Sequence, residues 1–278
     1  MKIDGKQIAS QILSDLKIRV EKLKEKNIIP HLYIILLSDD PQSASYVKQK
    51  MLRADEIGIK ITLDKENPQV TTEELIKKIE LLNNDESING IIVQRPMPKQ
   101  LNEEEIESSV TAVKDVDGFN PDSEFNVPVA RAIEKIIINT LKDTDFKDFI
   151  SSKRITVLGK GITAGKPIIN YFKRLNENVF TIDSKTENRS QILNNSDIII
   201  SAVGKENVIT KEDVKKGAYV IGVGLHVGTD GKLKGDFNEH EIEQSTAYFS
   251  PTPGGVGPVN VACLMENVVV ATEKQNLW

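Results

Sequence analysis

Apolar residues along this chain fall into two rhythms that alternate from one end to the other. Ile8, Ile12, Leu16, Val20 and Leu23 recur at helical spacing among lysines and glutamates, which predicts an amphipathic helix over residues 6–27. His31 to Ser38 is apolar without alternation, as expected of a strand covered on both faces in a parallel sheet. A second helix is expected from Gln42 to Ile57, stopped by Gly58. Thr71-x-x-Glu74 ahead of Leu75 has the form of a capping box, opening a third helix that reaches Asn83-Asn84. Gly90 to Gln94 is another buried strand, ended by Pro96 and Pro98. Residues 102–112 and Val129 to Leu141 return to helix on either side of a polar loop, Lys114 to Asn126. The strand rhythm restarts at Arg154, with strands expected at 154–158, 178–182, 197–203 and 218–224. Asn139 to Ser152 reads as a helix end and polar connector, and Val259 to Glu273 as a last helix with Val261, Leu264, Val268 and Ala271 on one face.

This alternation predicts an α/β protein of two domains with parallel sheets, residues 1–125 and 126–258. The C-terminal segment 259–278 is expected to pack back on the first. The turn that orders the second domain is Ile155-Thr-Val-Leu-Gly-Lys-Gly-Ile-Thr-Ala-Gly-Lys-Pro167, a β-branched run, three glycines and a new apolar pattern. Its first helical turn would present N–H groups to a phosphate, and a dinucleotide pyrophosphate is the obvious candidate. Gly159, Gly161 and Gly165 are spaced one residue wider than G-x-G-x-x-G, and a turn that needs glycine only for sterics remains an equal alternative.

Composition narrows the partners. Both signs of charge are plentiful over 278 residues and the formal net charge is -5, so no global basic field points to nucleic acid or an acidic membrane. Small molecules are the expected partners. The single cysteine, Cys263, lies in an apolar run, where a buried thiol in a reducing compartment is expected rather than a nucleophile. A polar N-terminus and the lack of a run long enough to span a bilayer suggest a cytoplasmic protein.

Four stretches carry candidate chemistry. Tyr46 and Lys50 are four apart on one helical face, where a ring can stack on a flat substrate and a desolvated ammonium can exchange a proton, although a solvated surface lysine fits the same spacing. Gln94 ends a strand, on the side where ligands bind in open α/β sheets, or it merely caps. Asp115-Val-Asp117-Gly-Phe119 places two carboxylates in a loop; one can pair with the 2-amino and ring N–H edge of a pterin-like heterocycle, and Asp115 is the better candidate for a turn-stabilising role. Pro253-Gly-Gly-Val-Gly-Pro258 is too rich in turn formers for helix or strand, and its backbone can press close to a flat ligand.

Taken together, Tyr46-x-x-x-Lys50, Gly90-Ile-Ile-Val-Gln94-x-Pro-x-Pro98, Lys114-Asp-Val-Asp-Gly-Phe119, Gly159 to Gly165-x-Pro167, Lys216-Gly-Ala218 and Pro253-Gly-Gly-Val-Gly-Pro258 resemble the methylenetetrahydrofolate dehydrogenase/cyclohydrolase family almost from end to end. The resemblance implies two α/β domains flanking a cleft, the first for folate and the second a Rossmann-type dinucleotide domain, in a homodimer. It implies oxidation of 5,10-methylenetetrahydrofolate with NADP, NAD being the alternative, and hydrolysis of the methenyl product to 10-formyltetrahydrofolate. By that likeness Lys50 is the catalytic lysine, Gln94 its hydrogen-bonding partner, Tyr46 the stacking ring and Asp117 the pterin anchor. Val93, Pro96, Pro253, Gly254, Gly255 and Gly257 would line the folate site. Gly159, Lys160, Gly161, Gly165, Asp183, Ser184, Lys185, Gly204 and Leu225 would hold the dinucleotide. No metal is implied.

Departures from the family cluster on the dinucleotide side. Its Gly-Arg-Ser turn stands here as Gly159-Lys160-Gly161, and its His-Ser-Arg-Thr as Asp183-Ser-Lys-Thr186. Lysine offers a 2′-phosphate a point charge instead of a planar fork. An acid at this place favours a ribose 2′-hydroxyl and hence NAD, while Lys160, Ser184 and Lys185 pull toward NADP. Gly222 stands where the family commonly has aspartate, and the loop after Phe119 is shortened. The folate-facing set is intact, so an NAD-specific or cyclohydrolase-only relative is the nearest rival. A non-catalytic folate or dinucleotide sensor is a more distant one, since it would have no use for both Lys50 and Gln94.

Overall fold

A computed structural model describes residues 1–38 and 40–276 and divides the chain into two compact units, one of Ser10–Pro128 with Val261–Trp278, the other of Met1–Ala9 with Val129–Asn260. The first unit follows the order α1 (Gly5–Lys24), β1 (His31–Leu36), α2 (Pro41–Ile57), β2 (Lys60–Lys65), α3 (Thr72–Asn83), β3 (Gly90–Gln94), α4 (Glu103–Ser109). Its sheet is all parallel in the order β2-β1-β3. Central β1 carries Leu32, Ile34 and Ile35 with no exposed surface, which is why its sequence shows no alternation. Edge strand β2 was not expected from sequence: Lys-Ile-Thr-Leu-Asp-Lys is half-exposed, and pairing with β1 rather than its own apolar content holds it extended. On α1 Leu13 is buried where Ile12 was expected and Ile12 is half-buried.

The helix ends obey local chemistry. The Asp40 carboxylate accepts the Ser43 N–H at the start of α2, and Gly58 ends it at φ 82°. Thr71 and Glu74 form the reciprocal capping box of α3.

The second unit contains α5 (Pro128–Ile138), α6 (Phe146–Ser151), β4 (Ile155–Leu158), α7 (Gly165–Lys173), β5 (Val179–Ile182), α8 (Arg189–Asn194), β6 (Ile198–Ser201), β7 (Ala218–Gly222), β8 (His226–Val227), β9 (Leu233–Lys234), α9 (Glu239–Ile242), β10 (Thr246–Phe249) and the start of α10 (Val256–Asn276). Five strands form a parallel sheet in the order β10-β7-β6-β4-β5. β4 therefore lies where the winding direction reverses, with β5 on one side and β6 on the other, the arrangement of a Rossmann sheet. Every residue of β4 and β6 is buried, so both faces are covered.

Several sequence expectations are corrected. Helix α6 replaces part of the connector expected at 139–152, and β10 and the β8–β9 hairpin were not foreseen. Residues 1–9, assigned by sequence to domain 1–125, count with the second unit because edge strand β10 offers unpaired backbone groups: Ile3 N–H donates to Phe249 O (2.9 Å) and Phe249 N–H to Met1 O (3.0 Å). Helix α10 begins at Val256, inside the expected 251–258 loop, since a proline in the first turn gives up an N–H that has no partner within the helix. Residues 277 and 278 of the expected C-terminal segment lie outside the described residues. Cys263 is buried, and among the described residues no helix is long and apolar enough to cross a membrane.

His31 opens β1 and is 5 % exposed. Nδ1 donates to Ser87 O (2.9 Å), so Nε2 is left to accept from Thr62 Oγ1 (2.8 Å), which is the neutral tautomer. Burial holds its pKa below the ordinary value, aided by Lys60 and opposed by the Ser87 bond and Asp85. A depressed histidine binds fewer protons folded than unfolded, so its stabilisation is complete above about pH 6.5 and is lost as pH falls through the folded value. Thermal midpoints of the wild type should therefore fall more steeply between pH 7.5 and pH 5.5 than those of His31→Gln. Parallel slopes would show that His31 does not titrate as described.

Candidate active site

The first unit brings Lys50 and Gln94 together. Register pairs Leu36 of β1 with Gln94, the last residue of β3, so Gln94 stands at the carboxyl edge of the sheet, just where the chain leaves β1 for α2. Lys50 Nζ donates to Gln94 Oε1 at 2.9 Å. Gln94 Nε2 donates to Arg95 O at 2.8 Å, which fixes the amide with its oxygen toward the lysine. Burial lowers the Lys50 pKa and the charge of Asp117 partly restores it. Such an amine is better able to give and take a proton near neutrality than one in water. Tyr46, one turn earlier on the same helix, is half-buried.

The two loop carboxylates have different surroundings. Asp115 is 4 % exposed and accepts the N–H groups of Gly118 (3.1 Å) and Asn120 (2.8 Å), a turn-building role. Burial, against these bonds and with Asp117 adding repulsion, pushes its pKa up to about 6. Asp117 is half-exposed and borders a small cavity with Val93, Glu107 and Phe119. Pro96 is exposed.

Arg95 was missed by sequence reading. Its guanidinium is buried, pairs with Glu103 (2.9 Å) and Glu107, and lies 4.4 Å from the centre of the Phe119 ring. A charged residue between Gln94 and Pro96, with two glutamates four apart on α4, was the available signal.

Pro253, Gly254, Gly255 and Gly257 belong to the second unit. Gly254 has φ 101°, Gly255 is buried, and Gly257 falls in the first turn of α10. A side chain on Gly5 would meet Gly255 O at 1.9 Å, so this loop runs directly against the start of α1.

At the switch point, Gly159 has φ 92° and a Cβ there would lie 2.5 Å from Ala202 O; one on Gly165 would lie 2.3 Å from Gly159 O. Gly161 faces open space, so the turn is tight at its two ends and empty in the middle. Helix α7 has no side-chain cap at its N-terminus. In the first turn Lys166 N–H donates to Gly161 O (2.9 Å), Ile168 N–H to Ala164 O (3.0 Å) and Pro167 has none, so it is the open space at Gly161 beside the helix start that fits the pyrophosphate of a dinucleotide.

Lys160 Nζ lies 2.8 Å from Asp183 Oδ2. Asp183 Oδ1 accepts from Lys185 N (3.0 Å) and Thr186 Oγ1 (3.1 Å), and the Lys160 bond first among these holds its pKa down to about 2. Ser184 and Lys185 are exposed beside it. Gly204 (φ 73°) and Leu225 are brought together, since a Cβ on Gly204 would lie 3.0 Å from Leu225 O.

A second residue missed by sequence, Asp236, organises that region. Fully buried, it accepts from Ser201 Oγ (2.5 Å), Val203 N (3.0 Å), Gly204 N (2.7 Å) and Lys205 N (3.0 Å). Gly222 sits close under the Phe237 ring: a Cβ there would lie 3.0 Å from it, so an aspartate would require the ring to give by a few tenths of an ångström. Among the described residues no cluster of three or more metal-ligating side chains is present.

Comparison with known proteins follows the two-part architecture. Residues 3–117 match the family model described as the catalytic domain of tetrahydrofolate dehydrogenase/cyclohydrolase, and residues 132–276 the one described as its NAD(P)-binding domain. A bifunctional protein FolD of Staphylococcus carnosus is 37% identical over 278 residues, covering 97% of this chain and 95% of that protein. The crystal structure of the FolD methylenetetrahydrofolate dehydrogenase/cyclohydrolase of Campylobacter jejuni is similar at a TM-score of 0.92 with 31% identity, covering 99% of each chain. That of the Trypanosoma brucei dehydrogenase-cyclohydrolase, complexed with NADP and an inhibitor, has a TM-score of 0.90 with 28% identity, covering 99% of this chain and 97% of that one.

The glycine turn gives a graded expectation. Gly165→Ala should destabilise the protein by roughly 1–3 kcal/mol, as overpacking against backbone does, and Gly159→Ala should add the strain of its positive φ. Gly161→Ala should stay within about 0.5 kcal/mol of the wild type. Denaturation midpoints measure all three, and equal losses would contradict the geometry described.

Proposed function

The chain belongs to the tetrahydrofolate dehydrogenase/cyclohydrolase family, and from that premise we infer that its Lys50–Gln94 pair performs the proton transfers of the hydrolytic step. The protein oxidises 5,10-methylenetetrahydrofolate with NADP and hydrolyses the resulting methenyl cation to 10-formyltetrahydrofolate. The observation that carries the assignment to these residues is a desolvated lysine held by a fixed amide oxygen at the carboxyl edge of a parallel sheet.

In the first reaction the residues of the first unit bind and orient. Asp117 accepts from the 2-amino and ring N–H edge of the pterin, a bidentate contact, and the Tyr46 ring stacks on the substrate. NADP, when bound, supplies the hydride acceptor. Gly159, Gly161 and Gly165 leave room for its pyrophosphate, with Lys160 and Lys185 near Asp183 for the 2′-phosphate. Because Lys160 already neutralises Asp183, the acid repels that phosphate less than a lone carboxylate would.

In the second reaction water adds to the methenyl carbon while neutral Lys50 takes its proton. Lys50 then returns a proton to N5 as the bond between that carbon and N5 breaks; the hydroxyl proton leaves to solvent, and the formyl group stays on N10. A cationic substrate beside Lys50 lowers its pKa further, favouring the neutral amine the first transfer needs. Gln94 keeps Nζ in place through both transfers. Retention of this pair weighs against a sensor without catalysis. The reading extends to a homodimer in the cytoplasm, as the family resemblance implies; the buried single cysteine is compatible with a reducing compartment.

Lys50→Met should reduce methenyl hydrolysis by about 10²–10⁴-fold while folate still binds, and hydrolysis should rise with pH on a limb below that of an ordinary lysine. A variant that hydrolyses at the wild-type rate would remove Lys50 from the mechanism. Asp183→Ser releases Lys160 and should raise the NADP/NAD ratio of kcat/KM. An unchanged or lower ratio would mean that Asp183 does not face the ribose.

A further inference from the structure

The loop that displays Asp117 is tied to the distant helix α10: Lys274 pairs with Glu124 (2.7 Å), and a buried amide reaches the backbone beside Asp117 itself. Asn267, midway along α10, is 1 % exposed. Its Nδ2 donates to Val116 O at 2.8 Å and to Asn126 O at 3.2 Å, within the same unit. Both amide hydrogens are thereby spent on the two ends of one loop, before Asp117 and just ahead of α5.

The first of these bonds acts directly on Asp117. Val116 O belongs to the planar peptide group whose nitrogen is that of Asp117, so holding the oxygen fixes the plane from which the Asp117 side chain departs. The rest of the loop leaves that plane as the main freedom. Lys114 Nζ donates to Leu82 O (3.1 Å) and Asp85 O (2.7 Å), Val116 is fully buried, and Asp115 draws in Gly118 and Asn120. Gly118 has φ 74° with Phe125 O and Val127 N 2.8 Å from any Cβ, so the far side of Asp117 is pressed against the returning chain.

We propose that Asn267 is a positioning residue for folate, which sets the direction in which Asp117 presents its carboxylate by holding the 116–117 peptide group. The proposal rests on the reading of Asp117 as the pterin anchor. The Asn267 amide has no charge to add of its own; its effect on substrate passes through Asp117.

The test is a double-mutant cycle on tetrahydrofolate binding, measured by calorimetry on the folded enzyme, with Asn267→Ala, Asp117→Ala and the pair. Asn267→Ala should weaken tetrahydrofolate by about five- to tenfold, the scale of one or two lost hydrogen bonds, raise KM for methylenetetrahydrofolate more than it lowers kcat, and leave the NADP Kd unchanged. In the Asp117→Ala background it should have no further effect. Asn267→Ser, whose hydroxyl can serve one of the two carbonyls, should fall between and stands in if the alanine variant does not fold. Equal effects in both backgrounds, no effect at all, or a matching loss of NADP affinity would overturn the proposal and leave Asp117 as the anchor. Tetrahydrofolate binding unaltered by Asp117→Ala alone would overturn the reading beneath it.

Discussion

An amine taken out of water must find a partner or lose its charge, and the first unit is arranged around that constraint at Lys50. The partner is an amide oxygen, which satisfies an ammonium without pinning it as a carboxylate would. A carboxylate in contact would raise the pKa and hold the proton; Asp117 acts on Lys50 only as a modest opposing charge. Gln94 therefore holds position while burial sets the proton affinity. The parallel pairing of β1 and β3 makes this meeting possible, because it places the last residue of one strand beside the exit of the other.

Around that pair the charges are sorted by what they bond. Asp115 is buried and spends its oxygens on backbone N–H groups, whereas Asp117, two residues on, is left half-exposed. Arg95 balances Glu103 and Glu107 and covers the Phe119 ring, so a buried guanidinium braces the loop from one side as the Asn267 amide does from another. Burying these polar groups is costly unless they are paired; Arg95 spends its terminal nitrogens on the two glutamates while its Nε has no partner, and these bonds in turn fix where the loop lies.

The second unit meets a different demand, close approach of backbone to a phosphate-bearing ligand. Glycines at 159 and 165 allow the turn to close on itself, and Asp236 gathers three successive N–H groups after β6 that would otherwise lack partners. The exposed Lys160–Asp183 pair is a softer feature: screened by solvent, it can open at little cost.

Local chemistry determined much of this from sequence alone. The unalternating run at β1, the Thr71–Glu74 capping box, Gly58 as a helix stop and the strand ending at Gln94 are read from neighbours in the chain, because their energies come from neighbours in the chain. Lys50, Gln94 and Asp117 were legible as candidates through their spacing and loop context. Only the tertiary structure decided that Lys50 and Gln94 share a hydrogen bond, that half-exposed β2 is a strand, and that residues 1–3 join β10. The same holds for Arg95, Asp236 and Asn267, polar residues whose burial and partners far away in sequence leave no periodic trace. Their roles arise from desolvation and hydrogen bonds formed across the fold, and neither exists until the fold does.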